Sequence, residues 1–358
     1  MPLVSPTGCG PGAARRAAQA TPMAIDGTPS PRLADIQRDY LEDLRHRVTP
    51  AHFSNVEHRL THTLTALGAD HVADLQPLSL IRYRNQLRAD GLASRSANLV
   101  VDNLRTMLGW AHDCGLIPAN PLGRIRRLPD GVGHQRCVRR AMTDDEITRF
   151  LRAAEADDRE TAKTWQTRGG GETNHRRKGL RIPQAPLWRG FLETGARWSE
   201  LTRAEWADVD AGRRTLLLRA ENTKSRRRRI VPLGRQFLEE LGRLRDLQER
   251  VLGHAVGPSE PVFRTPEAAR WSRATNNAMR IFDRLLIRAE IQRVDAEGRK
   301  LDIHALRHTF GSRMARSGAG LVHVQRLMGH SDPKLTAQVY THLDVEDLRG
   351  AIEGVVGR

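Results

Sequence analysis

Between residues 33 and 113 apolar side chains recur at intervals of three and four, the period of helices lying on a core. The pattern falls into the segments 33–47, 52–67, 77–89 and 95–113. In the last of them Ala97, Val100, Val101, Leu104, Met107, Leu108 and Ala111 form one stripe. Ser94 offers an N-cap oxygen, and Gly115 with Pro118 marks the stop. The short links predict a compact helical bundle over 31–120. Residues 1–30 are rich in Pro, Gly, Ala, Ser and Thr, lack apolar periodicity, and are expected to be a disordered tail.

Residues 121–140 interrupt the pattern with prolines, glycines and arginines and read as a linker. Thr143 and Glu146 have the spacing of a capping box, so a new helix should run through Ala154. The polar stretch 155–184, with glycines at 169–171 and His175 to Lys178, reads as a surface loop. Its basic residues could touch a phosphate backbone, although a solvated loop is the simpler reading. Residues 186–206 suggest one helix, and 215–222 with 228–233 a hairpin around a basic turn. Helical patterns return from Gly234 to the end. Residues 141–358 thus make a second domain, and the fold class is mainly α with a small antiparallel β-sheet.

Charge narrows the function. The chain has 358 residues, room for two domains, with 58 Lys plus Arg against 42 Asp plus Glu, a net charge of +16 and a pI near 11.0. Such an excess suits a polyanion, because each phosphate neutralised releases condensed counterions. A merely basic soluble protein remains the alternative on charge alone. No apolar run of spanning length and no basic amphipathic anchor argue for a membrane. Cys9, Cys114 and Cys137 are odd in number and far apart, which speaks against a disulfide framework. With no signal peptide apparent, a reducing, cytoplasmic setting is expected.

One constellation carries chemistry: Arg197, Lys224, His304, Arg307, His330 and Tyr340. Attack on a phosphodiester without a metal needs fixed cations for the nonbridging oxygens, a nucleophile that loses a proton, and a proton for the leaving oxygen. Arg197 and Arg307 suit the first need, since the guanidinium fork spans two phosphate oxygens. His304 and Arg307, at i and i+3, share a helix face, whereas His308 is expected to point away in a structural role. Tyr340 is one of three tyrosines, and Tyr40 and Tyr83 lie far from the basic set in the chain. His58 and His62 are spaced as a metal pair but have no third ligand, and neither a Walker loop nor HExxH is present.

The set TGARWSEL, TKSRRRRIVPL, HALRHTFGSRM, LMGHSDPKLT and VYTHL resembles the catalytic domain of the tyrosine recombinases, the phage-integrase-like site-specific recombinases. The resemblance spans about 138–350, and 31–120 is similar to that family's core-DNA-binding domain. It implies a two-domain clamp on double-stranded DNA, with Tyr340 as the nucleophile of a 3′-phosphotyrosyl link and Lys224 as the acid for the departing 5′ oxygen. His304 would assist proton transfer, His330 would bond the scissile phosphate, and Glu200 would orient the basic groups. Arg226 to Arg229 would lower the Lys224 pKa; they contact the DNA backbone or form a solvated hairpin. No cofactor is implied. A homotetramer on two DNA sites is, joined by a helix at 345–356 that docks on a neighbour or packs on its own domain. Accessory or directionality proteins could join it.

Two features depart from the commonest pattern: the ten-residue spacing from His330 to Tyr340 and the long polar segment before Arg197. The rivals are a type IB topoisomerase-like enzyme, a metal-dependent transposase built on Asp208 and Asp210, and a regulator without catalysis.

Overall fold

The computed structural model describes residues 30–129, 138–167, 181–223, 227–271, 277–330, 332–333 and 336–337. The chain divides into two compact units, Met1–Arg136 and Cys137–Arg358.

The first unit is four helices: α1 (Leu33–Arg47), α2 (Pro50–Leu67), α3 (Pro77–Ala89) and α4 (Ser94–Asp113). The other three pack on α4, whose predicted stripe from Ala97 to Ala111 is buried throughout. Thr49 caps α2 by accepting from His52 N at 3.4 Å, with Pro50 in the first turn. Gly68 ends that helix at φ 61°. Ser94 is not the cap expected of it: Ala93 holds the N-cap position and Ser94 is buried in the first turn. The core also takes Leu122 and Ile125 from the stretch that reads as a linker. Asn98 fastens that stretch, since Nδ2 donates to Leu128 O and Oδ1 accepts from Leu128 N, each at 2.8 Å. Residues 130–137 and the tail 1–29 lie outside the described residues.

The second unit opens with α5 (Asp144–Thr167). The predicted capping box forms: Glu146 N donates to Thr143 Oγ1 at 3.1 Å and Thr143 N to Glu146 Oε2 at 2.9 Å. The helix runs well past Ala154, so the first part of the expected loop 155–184 is helical; 168–180 lie outside the described residues. The inward face of this extension carries carboxylates in place of apolar residues, so hydrophobic periodicity does not mark it: Asp157 and Asp158 are held by protein partners. Asp157 pairs with Arg284 at 2.6 Å, and Asp158 accepts from the backbone N–H of Gln184 and Ala185 at 2.8 Å.

The expected helix 186–206 is likewise divided, into α6 (Ala185–Thr194) and the short α7 (Trp198–Leu201). β1 (Val209–Asp210), β2 (Thr215–Leu218) and β3 (Arg229–Pro232) form an antiparallel sheet in chain order. Leu216 faces both Val209 and Val231 in register. Strand β1 was not foreseen, being only two residues long. The remaining helices are α8 (Arg235–Leu252), α9 (Asn277–Arg288), α10 (Ile303–Arg316) and α11 (Leu321–Met328). Phe150 of α5, Trp188 of α6 and Phe282 of α9 meet at ring separations of 5.5–6.1 Å, and this core anchors the helices that present the site.

Candidate active site

Arg197 lies in the elbow between α6 and α7, at the N-cap of α7 rather than within a helix. The elbow requires Gly195. Its φ is 58°, and a Cβ there would fall 2.3 Å from the Phe310 ring. The Gly195 carbonyl accepts from Arg307 Nη1 at 2.6 Å, while Arg307 Nη2 donates to Met328 O. Arg307 comes from the buried face of α10 and is 2% exposed. One guanidinium thus joins the elbow to the end of α11, where Gly329 turns the chain at φ 64° into His330.

Glu200 organises the cations. Its Oε1 accepts from Arg197 Nη1 at 2.7 Å, and its Oε2 from Arg197 N at 2.8 Å and Arg229 Nη2 at 2.6 Å. Burial opposes its charge, but the hydrogen bond and charge of Arg229, and then the bonds from Arg197, outweigh burial and hold its pKa down at about 2. Arg229 Nε also donates to Leu327 O at 2.9 Å, and Arg197 Nη2 to Gly329 O at 3.3 Å.

The cluster carries more positive than negative charge. Burial first, then the charges of Arg197 and Arg229, push Arg307 down to about 9, so it is still a cation at neutral pH. His330 is lowered to about 3 by burial, then by Arg307 and Arg197. Its Nδ1 is 2.8 Å from Thr336 Oγ1, which leaves Nε2 for a ligand. His304 is exposed, yet the protein on its inner side, then Arg139 and Arg307, lower its pKa too. Asp302, which caps α10 by accepting from Ala305 N at 2.9 Å, is held by Arg139 at 2.7 Å and so fixes the helix that carries His304.

His308 does not point away from this group. At i+4 from His304 its ring stands edge-on to that of His304, with centroids 5.5 Å apart. Its pKa is lowered to about 4, by burial and then His304. The structure brings Arg197, Glu200, His304, Arg307 and His330 together and places His308 and Arg229 with them. Arg229 was legible in principle: it alternates with Ile230 and shares a strand face with buried Val231. Lys224, Arg226 and Tyr340 lie outside the described residues, as does 345–356. A groove of about 800 Å³ beside the cluster, between β3 and α11, is lined by Arg227, Arg228, Arg326, His323 and His330 among others.

The competing residues have other tasks. Asp208 accepts from Arg219 Nε at 2.6 Å and from Glu205 N at 2.9 Å, and Asp210 accepts from Arg213 N at 2.8 Å. Both carboxylates hold turns. Tyr40 is buried against Trp110, and the Tyr83 hydroxyl lies 2.9 Å from His62 Nδ1. Among the described residues, no group of three His, Cys, Asp or Glu could hold a metal ion, and no helix is long and apolar enough to cross a membrane.

Residues 173–347, which span the whole cluster from Arg197 to His330, match the model of the phage integrase family. Relatives extend the likeness along the chain: tyrosine recombinase XerC of Chromohalobacter salexigens is 26% identical over 317 residues, covering 88% of this chain and 93% of its own. The chain carries a phage integrase family domain. It is a site-specific recombination enzyme. Tyrosine recombinase XerD of Brucella suis is 28% identical to this recombinase over 263 residues, 73% of this chain and 76% of that protein. A lambda integrase tetramer solved on a Holliday junction shares the fold, with a TM-score of 0.63 and 18% identity over 87% of this chain and 77% of that one.

Proposed function

We propose that this recombinase cuts duplex DNA by attack of the Tyr340 phenol oxygen on the scissile phosphorus. The bond to the 5′ oxygen breaks as the phosphotyrosyl bond forms at the 3′ end. Lys224 gives its proton to the departing 5′ oxygen, and His304, neutral at pH 7, takes the phenol proton. Arg197 and Arg307 meet the charge on the nonbridging oxygens, and His330 Nε2 donates to one of them. The 5′-hydroxyl of a partner strand then attacks the phosphotyrosyl bond and restores both proton donors. Since the linkage conserves the phosphodiester energy, rejoining needs no nucleotide cofactor. The single observation that carries this reading is the convergence of Arg197, Arg307 and His330, the last of which lies ten residues before Tyr340.

Double-stranded DNA is the partner, in keeping with the net charge of +16. Four protomers act on two sites, joined by the segment 345–356, whose Val345, Leu348, Ile352 and Val355 have helical spacing. A cytoplasmic setting fits a DNA substrate, and accessory or directionality proteins would act on the assembled complex.

The test is covalent trapping. Wild type and Tyr340→Phe are incubated in EDTA with nicked suicide substrates cut from DNA flanking the gene, then run on a denaturing gel. A labelled adduct in wild type alone is expected. An adduct that persists in Tyr340→Phe would remove the nucleophile assignment. Deleting 345–358 should leave DNA binding intact and reduce the yield of paired duplexes; an unchanged yield would sink the role given to that segment.

A further inference from the structure

Of the arginines on the basic hairpin, Arg229 alone among the described ones turns inward. Arg227 and Arg228 are exposed, whereas the Arg229 side chain is 9% exposed. It reaches three places at once. Nη2 donates to Glu200 Oε2 at 2.6 Å, Nε donates to Leu327 O at 2.9 Å, and its Cδ and Nη1 lie 3.1 and 3.0 Å from where a Gly329 Cβ would stand. A planar guanidinium can satisfy a carboxylate and a carbonyl in two fixed directions, which an ammonium cannot. Glu200 in turn holds Arg197 by both its backbone and its side chain.

We propose that Arg229 is a positioning residue for strand cleavage: it aims Arg197 through the shared carboxylate of Glu200 and fixes the Leu327–Gly329 turn that presents His330. The proposal rests on the recombinase reading given above. Arg229 does not itself touch the phosphate. Without it, Glu200 keeps only Arg197, and the elbow and the α11 turn lose their common tie.

The consequence is specific to charge on the phosphate. Arg197 neutralises the nonbridging oxygens, so misaiming it matters most when they share the negative charge of the diester. A suicide substrate with a methylphosphonate at the scissile position has one of them replaced by a neutral methyl group. Single-turnover cleavage is therefore measured on both substrates for wild type, Arg197→Ala, Arg229→Met and Arg229→Lys, with DNA affinity and melting temperature recorded for each.

On the ordinary phosphate, Arg229→Met should cleave about 10²-fold more slowly at saturating DNA, and Arg229→Lys about tenfold, the cost of a small misplacement of catalytic groups. On the methylphosphonate the deficit of both variants should shrink, as it does for Arg197→Ala, and Arg229→Met combined with Arg197→Ala should be less than additive. DNA affinity should stay within about threefold of wild type, since the groups that contact the backbone remain. An equal loss on both substrates in a folded variant would mean that Arg229 only supports the fold, and would overturn the proposal. A wild-type rate in Arg229→Met would do the same. If Arg229→Met does not fold, Arg229→Lys decides by the same comparison of substrates. A wild type that forms no Tyr340-dependent adduct would fault the functional reading instead, not this inference.

Discussion

Helix α4 of the first unit runs among three neighbours with Leu104, Met107, Leu108 and Ala111 all closed to solvent, and almost nothing polar is needed to keep it there. Around Arg197 the arrangement is reversed. Three guanidiniums, one carboxylate and the carbonyls of Gly195, Leu327, Met328 and Gly329 hold four chain segments in place. The first region tolerates imprecision, because burial energy is non-directional. The second depends on distances and angles, because a buried charge is stable only while its partners stay in place. Damage in the two regions should therefore differ in kind: a loss of stability in one, a loss of reaction rate in the other.

The sharpest contrast comes from Arg307→Ala. Removing one cation of a phosphate clamp should slow cleavage by about 10³-fold. It should also lower the melting temperature, because two buried carbonyls lose their donor, each worth roughly 1–3 kcal/mol. Single-turnover kinetics with calorimetry checks this, and an unchanged melting temperature would show that those carbonyls do not depend on Arg307. Leu104→Ala should cost about 2–5 kcal/mol of stability by leaving a cavity. Once the variant is folded and saturated with DNA, its cleavage rate should match wild type. A rate loss larger than the stability loss explains would blur the division drawn here.

Acid should separate the regions next. His308 and His330 have folded pKa values of about 4 and about 3, and His304 is lowered as well, against an ordinary value near 6.5. Between pH 6.5 and 4 the unfolded chain binds protons at these sites that the folded protein refuses. Stability is thus complete above pH 6.5 and falls as the pH drops toward 4. Glu200 contributes in a lower window, from its ordinary value down to about 2. Urea midpoints taken from pH 7.5 to 5 should fall in wild type and fall less in His308→Asn; parallel curves would refute the assignment. The smallest effect lies at the helix caps. Thr49→Ala should cost about 1 kcal/mol and Ser94→Ala less, since only Thr49 accepts a capping bond. Equal losses in denaturant titrations would contradict that difference.

The same division explains what could be read from the chain. Helices α1 to α4 were legible because their signal is local: the stripe from Ala97 to Ala111 needs no knowledge of what faces it. The capping box of Thr143 and Glu146 was legible for the same reason. The division at Gly195 was not, because a glycine between Thr194 and Ala196 becomes obligatory only once Phe310, far along the chain, fills the space beside it. Likewise the run Arg226 to Arg229 reads as outward-facing cations, on a DNA backbone or in solvent, until Glu200 draws Arg229 inward. His308 was misjudged through its spacing to Arg307, when its spacing to His304 is the one that sets its face. The motif residues are picked out by their types, whereas the contacts around them, such as Arg229 with Glu200, join segments distant in the chain.

Glu200 also sets the charge balance of the cluster. One carboxylate faces Arg197, Arg229 and, at longer range, Arg307, so the described cluster holds a surplus of positive charge in a largely buried place. Among the described residues Glu200 offsets only part of the repulsion among those guanidiniums. In the proposed reaction a phosphodiester enters there and brings a second anion, which lowers the energy of the cations as well as its own. On that proposal DNA completes the charge balance of the site, and binding it should raise the melting temperature.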